Sequence, residues 1–299
     1  MAELHVSCAA DAAYVPHSAA MLHSVLAQRG DLRVRVHYLH GPGFAAGDAA
    51  ALSEMVRRDG GEIDFHEVPD ADVAGMPTVA GITATMWYRV HLPRLLDGVE
   101  RVLYLDADAI AVDDLRPLWE TDLRGAWVGA VTNVFQLDHL HRPWALGIDP
   151  REYFNSGVLL MDLEAMRADD VTATLVAHAR GLGAETMWPD QDTLNVVLGE
   201  RRLALHPRWN AMNSVLRFPW AAYAFDPREL AEARARPGIR HFEGPSINKP
   251  WHLLSAGEGR AAYFEHRRLT PWPRVRREGV TAGNLARRAW RAARRRLSA

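Results

Sequence analysis

The sequence predicts an α/β protein: a mostly parallel sheet flanked by helices, followed by a basic C-terminal appendage. Two observations carry the fold. Short apolar segments alternate along the chain with segments whose apolar positions recur at helical spacing. Glycines close the first helical segments, at Gly30 and at Gly60 and Gly61. A third observation carries the appendage. The chain has a net charge of -2, yet residues 261–299 hold eleven arginines against Glu265 and Glu278, a net of +9, which leaves -11 for the remainder.

The elements follow in order. ELHVSCA (3–9) reads as a first strand, and residues 17–29 as a helix. LRVRVHYL (32–39) alternates as a strand should, residues 45–58 are helical, and EIDFHEV (62–68) is a third strand. Residues 83–96 have helical spacing. RVLYLDADAIAV (101–112) is an apolar strand running into acids, and its extended backbone would point both carboxylates of D-x-D to one side. WVGAVTN (127–133) and FNSGVLLMDL (154–163) are buried strands, with helices at 163–180 and 190–199. RRLALHP and GIRHFEG are two late strands. Repeated βα units imply helices on both faces of the sheet.

Composition excludes several classes. A hydrophobic content of 48% and a charged content of 24% suit a globular chain. Cys8 is the sole cysteine, so no internal disulfide exists, and its apolar surroundings predict a buried, inert thiol. The N-terminus lacks the pattern of a signal peptide, and no apolar run reaches the roughly 18 residues of a membrane span, so a cytoplasmic location is expected. Neither G-x-G-x-x-G after the first strand nor a P-loop is present. The acidic body argues against nucleic acid as a partner.

Sheets of this kind bind ligands beyond the carboxyl ends of their strands. Asp11 and Tyr14 follow the first strand, Asp106 and Asp108 the fourth, Gly244 and Lys249 the last. Two carboxylates this close suit Mg²⁺ or Mn²⁺ shared with phosphate oxygens; a solvated loop is the plain alternative. An aspartyl-phosphate hydrolase also carries D-x-D, but needs Thr or Val where Ile110 stands and a later acidic pair that the chain lacks. Lys249 is the only lysine beside 34 arginines. A compact ammonium on a flexible stem suits a phosphate oxygen at short range, whereas arginine is a broad planar fork.

YRVHLPRLL, RVLYLDADAIAVDDLRPLW, FNSGVLLMDL, PDQDTLNVVL and HFEGPSINKPWH, in that order, resemble glycosyltransferase family 8, which includes glycogenin and bacterial lipopolysaccharide α-galactosyltransferases. CAADAAY (8–14) fits the family's donor-binding start, and the resemblance covers roughly residues 3–252. It implies a Rossmann-like GT-A domain over residues 1–260, with residues 261–299 as the tail. It further implies a retaining, metal-dependent enzyme that moves glucose or galactose from a UDP-sugar to an acceptor hydroxyl.

The residue roles come from the same resemblance. Asp106, Asp108 and His241 look like metal ligands, the imidazole favouring Mn²⁺ over Mg²⁺. Lys249 looks like the cation on the leaving diphosphate, although four residues separate it from Gly244 where the family has two. Ala9, Asp11 and Tyr14 correspond to the base-binding segment, and Ala107, between the two acids, to a donor contact. Arg89 resembles a donor-contacting arginine, and Asn155 a contact to the sugar. Asn133 stands where galactosyltransferase relatives have aspartate, which leaves the sugar open. Gln191 corresponds to the residue beneath the anomeric carbon and Asp190 to one against the sugar hydroxyls, with Asp190 as nucleophile the alternative. The basic tail, residues 267–299 with Trp272 and Trp290, suggests peripheral attachment to an anionic membrane surface through an amphipathic helix. A non-catalytic member that binds glycan or membrane is the competing reading. The acceptor, whether glycan, lipid or small molecule, is not legible.

Overall fold

A computed structural model describes residues 2–79, 83–183, 186–255 and 257–297. The first half runs β1 (Glu3–Ala9), α1 (Val15–Ala27), β2 (Arg33–His40), α2 (Ala46–Arg58), β3 (Gly61–Glu67) and α3 (Asp70–Val73). A 3-10 helix over Ala84–His91 leads into α4 (Leu92–Leu95), β4 (Arg101–Leu105), β5 (Ala109–Ala111), α5 (Arg116–Trp119), β6 (Val128–Thr132) and α6 (His141–Ala145). The second half continues with β7 (Phe154–Asp162), α7 (Leu163–Ala168), α8 (Val171–Gly181), α9 (Pro189–Leu198) and β8 (Arg202–Ala204). It ends with α10 (Asn213–Arg217), α11 (Pro227–Ala235), β9 (Ile239–His241), α12 (Arg260–Arg268) and α13 (Ala282–Leu297).

Seven strands form the main sheet in the order β3-β2-β1-β4-β7-β6-β8. Only β7 runs against its neighbours; the other pairings are parallel. The sheet therefore matches the α/β expectation. Leu4, Val6 and Cys8 pack with α1 on one face, while Val102, Tyr104, Leu159 and Met161 pack with the 3-10 helix, α7, α8 and α9 on the other. Cys8 is fully buried, as its apolar context predicted, and burial pushes its thiol pKa up.

Four expectations need correction. RVLYLDADAIAV is not one strand. It divides into β4 and β5 around a turn closed by Ala109 N–H bonding to Asp106 O at 3.0 Å, and β5 leaves the main sheet to pair with β9. The predicted helix 163–180 breaks between α7 and α8, where Asp170 adopts φ +44°. Residues 84–91 are helical in 3-10 form, and at their end Pro93 has no N–H to give to the Arg89 carbonyl, which accepts from the Leu92 N–H instead. The division expected after residue 260 coincides with the start of α12, which packs on α1. Tyr263 Oη lies 2.6 Å from His17 Nδ1 and His266 Nδ1 lies 2.9 Å from His23 Nδ1. Residues 260–268 thus belong to the body, and the amphipathic segment expected in the tail is α13.

Candidate active site

The acids meet at the carboxyl end of β4. Asp106 N–H extends the β4–β7 ladder by bonding to Gly157 O at 2.8 Å, and the following turn brings Asp108 back beside it. His241, the last residue of β9, arrives opposite Ala109 of β5. One ligand atom from each of Asp106, Asp108 and His241 lies within 4.8 Å of the others. His241 Nε2 stands 3.2 Å from Asp108 Oδ1 and 3.9 Å from Asp106 Oδ2. Two carboxylates and an imidazole are a suitable donor set for a divalent cation. The local backbone preserves the space, since a Cβ on Gly157 would stand 2.3 Å from His241 Cε1 and 2.7 Å from Asp106 Oδ2.

Lys249 joins this group directly, its Nζ paired with Asp108 Oδ2. Burial would raise the Asp108 carboxyl, but Lys249 and His241 outweigh it and hold it well below the usual carboxylate range. Burial would lower both cations; Asp108 reverses that and pushes the Lys249 ammonium and the His241 imidazolium up. The spacing of PSIN leaves the lysine in reach of the acidic pair. Its loop turns at Gly244 (φ +83°), and Glu243 anchors the strand end by accepting from Asn213 N–H at 2.7 Å and Ser214 N–H at 3.1 Å.

Arg89 is buried below the acids. Its Nη2 lies 3.0 Å from Asp106 Oδ1 and 3.6 Å from Asp190 Oδ2, its Nη1 donates to Ser156 O, and its guanidinium covers the Tyr104 ring at 4.5 Å. In this state Arg89 holds two site carboxylates in place. Burial raises the Asp190 carboxyl pKa, an effect only partly opposed by Arg89.

A chain of amides runs from His241 to α9. His241 Nδ1 lies 2.9 Å from Asn210 Oδ1, Asn210 Nδ2 donates to Asn155 Oδ1 at 2.8 Å, and Asn155 Nδ2 donates to Gln191 Oε1 at 3.0 Å. Gln191 Oε1 also accepts from Ser156 N–H at 3.1 Å. Asn133 Oδ1 accepts more weakly from Asn155 at 3.4 Å. The second acid of DQD has a separate duty. Asp192 is fully buried, accepts from Tyr153 Oη at 2.6 Å and pairs with Arg142 Nη2 at 2.5 Å.

The residues expected at the donor-binding start lie at the end of β1. Asp11 Oδ1 accepts from Ala13 and Tyr14 N–H at 3.0 and 3.1 Å, and its Oδ2 from Thr83 Oγ1 at 3.0 Å. Asp11 therefore shapes the turn that presents Tyr14. The Tyr14 ring meets Trp251 edge-on at 5.9 Å, and His17 stacks on Trp251 at 3.5 Å. Ala9 ends β1 partly exposed; Ala107 is buried between the acids. A cavity of about 500 Å³ lies behind this wall, lined by His17, Arg267, Trp272, Arg274 and others, and none of the predicted site residues lines it.

Asn210, Tyr153 and Asp192 were not predicted as site residues. Asn210 sits in a 3-10 turn 31 residues from its histidine, with no signal in the sequence. Gly157 was within reach, because glycine inside a strand marks close approach of other groups.

The chain shares its fold with glycosyltransferases of the GT-A class. It is similar to the galactosyltransferase LgtC, solved with donor and acceptor sugar analogues, at a TM-score of 0.77 and 29% identity over 90% of this chain and 96% of that one. General stress protein A of Bacillus subtilis (strain 168) is 28% identical over 90% of this chain and 94% of its own length. The lipopolysaccharide glucosyltransferase WaaO of Escherichia coli (strain K12) is 26% identical over 75% of this chain and 65% of its own length. Other relatives are matched over about half their length, for example 49% of the Escherichia coli lipopolysaccharide 1,2-glucosyltransferase. The model of glycosyl transferase family 8 matches residues 5–255. The chain belongs to that family and is a glycosyltransferase.

Proposed function

We propose that this enzyme transfers a hexose, glucose or galactose, from its UDP-sugar to an acceptor hydroxyl with retention, using Mn²⁺ or Mg²⁺. The observation that carries the reading is the convergence of Asp106, Asp108 and His241 with Lys249 against the same carboxylate. These three ligands would hold the cation, which as a Lewis acid offsets charge on a leaving diphosphate.

The chain's own groups supply the rest. The Lys249 ammonium, paired with Asp108, would bring a second positive charge to the diphosphate oxygens. Tyr14 offers its ring face to the base. Arg89 holds Asp106 and Asp190 in register. Gln191, tied to Ser156 and Asn155 at the start of α9, is suited to stabilise positive charge at the sugar. The acceptor oxygen forms its bond to C1 as the bond from C1 to the β-phosphate oxygen breaks, on the same face, and the acceptor proton passes to a phosphate oxygen. The pairing of Asp190 with Arg89 supports a role for Asp190 as a fixed polar contact to the sugar in this reading.

No helix among the described residues is long and apolar enough to cross a membrane. Helix α13 (AGNLARRAWRAARRRL) has arginines and no acid, and exposes Leu285 and Trp290. The basic helix with exposed apolar residues supports an enzyme resting on an anionic membrane surface. Sedimentation with anionic against neutral vesicles tests that reading, and binding equal to both would remove it.

The donor is tested by measuring UDP released from a panel of UDP-sugars, with Mn²⁺ and with EDTA, for the native chain and Lys249→Ala. Slow, metal-dependent hydrolysis of one UDP-hexose, lost in the variant, is expected. No turnover with any UDP-sugar, despite intact metal binding, would overturn it.

A further inference from the structure

The loop that carries Lys249 is held by a residue far along the chain. Glu278 lies in the segment between α12 and α13, and its carboxylate grips both shoulders of the loop. Its Oε2 accepts from Ser246 Oγ at 2.6 Å, three residues before Lys249, and its Oε1 accepts from Trp251 Nε1 at 2.8 Å, two residues after. The backbone repeats the grip, since Leu253 N–H bonds to Glu278 O at 2.9 Å and Glu278 N–H to Trp251 O at 3.3 Å.

The contact is close-fitting. Gly279 has φ +68°, and a Cβ there would stand 2.0 Å from His252 Nε2. Trp251 is 1% exposed, and its indole N–H takes the Glu278 carboxylate as its acceptor. The same indole stacks on His17 and meets Tyr14, the ring suited to the base. Glu278 therefore holds Ser246 and Trp251, residues on either side of Lys249.

The grip also extends to α13. Thr281 N–H and Asn284 Nδ2 bond to Gly279 O at 3.0 and 2.8 Å, and Asn284 N–H bonds to Thr281 Oγ1 at 3.2 Å. The first turn of the basic helix is hydrogen-bonded to the segment that clamps the loop.

We propose that Glu278 is a positioning residue for Lys249, and that it makes the C-terminal segment part of the donor site; this rests on the diphosphate role of Lys249 stated above. Glutamine at 278 can still accept from Trp251 and donate to the Ser246 hydroxyl, which accepts as well as donates. Alanine can do neither.

The test compares Glu278→Ala and Glu278→Gln with the native full-length chain in two measurements. Amide exchange of residues 246–253 is followed without donor or metal, so it does not depend on turnover. UDP-sugar hydrolysis is then measured over a range of donor concentrations. Expected for Glu278→Ala is at least tenfold faster loop exchange, with a donor KM raised about tenfold and kcat lowered less, while Glu278→Gln stays near the native chain on both. Ser246→Ala, which removes one shoulder only, is measured alongside and is expected to give a smaller change in the same direction; it stands in if Glu278→Ala fails to fold. Unchanged loop exchange, or faster exchange with unchanged donor kinetics, would overturn the proposal. A native chain that hydrolyses no UDP-sugar would sink the donor reading and the positioning role with it; the exchange data would still decide whether Glu278 clamps the loop.

Discussion

Asn210 Oδ1 lies 2.9 Å from His241 Nδ1, and this contact sets which nitrogen of the imidazole is available. An amide oxygen only accepts, so Nδ1 carries the hydrogen and Nε2 is left facing Asp106 and Asp108. Removal of such a partner of a metal-binding histidine typically costs 10- to 100-fold in affinity. Asn210→Ala is expected to weaken Mn²⁺ binding by roughly tenfold or more, read by calorimetric titration.

Gly157→Ala tests the room around the same imidazole. The added methyl would stand 2.3 Å from His241 Cε1, on a strand buried from Phe154 to Met161. Metal binding and turnover should both collapse, while far-UV circular dichroism keeps its native shape. Retained binding would show that the strand yields.

Lys249→Arg addresses why one lysine persists among arginines. The Lys249 side chain is only 11% exposed, and its point charge sits against Asp108. A planar fork there is expected to lower kcat/KM for the donor about tenfold or more, even with charge conserved. Native kinetics in this variant would make the lone lysine an accident of composition.

Asp192→Ala removes one half of a buried ion pair. It leaves Arg142 and Tyr153 Oη without their acceptor. Arg142 keeps some exposure, so the expected loss lies at the low end for broken buried pairs, about 3 kcal/mol. Chemical denaturation measures it.

Acid should destabilise the fold through buried histidines. Burial pulls His17 down to about 3, and His37 and His266 to about 4 each. Below the ordinary value near 6.5 the unfolded chain takes up protons that the native state refuses, so stability falls as pH drops. His17 alone would account for roughly 2 kcal/mol lost between pH 7.5 and pH 5. Tm should decline over that interval, and His17→Phe should lessen the slope.

Apolar runs made the sheet strands legible, because β4, β6 and β7 are buried on both faces, and helical spacing marked α2, which buries only Leu52, Met55 and Val56. The pattern did not separate β4 from β5, since Ile110 and the alanines beside it are apolar in either arrangement; the turn closed by the Ala109–Asp106 hydrogen bond and the pairing of β5 with β9 divide them. The acidic pair and the order of short motifs marked Asp106, Asp108, His241 and Lys249, which the fold brings together. Partners that work across long separations, such as Asn210 with His241 or Glu278 with Trp251, left no local pattern to read.

The position of Glu278 bears on how the arginine-rich end is removed in experiments. A chain cut just before residue 278 loses the carboxylate under Ser246 and Trp251 together with every arginine of α13. A chain cut after residue 281 sheds the same arginines and keeps the clamp. Two deletions four residues apart would thus report different things. Only the longer chain separates the purpose of the basic helix from damage to the loop that carries the lysine.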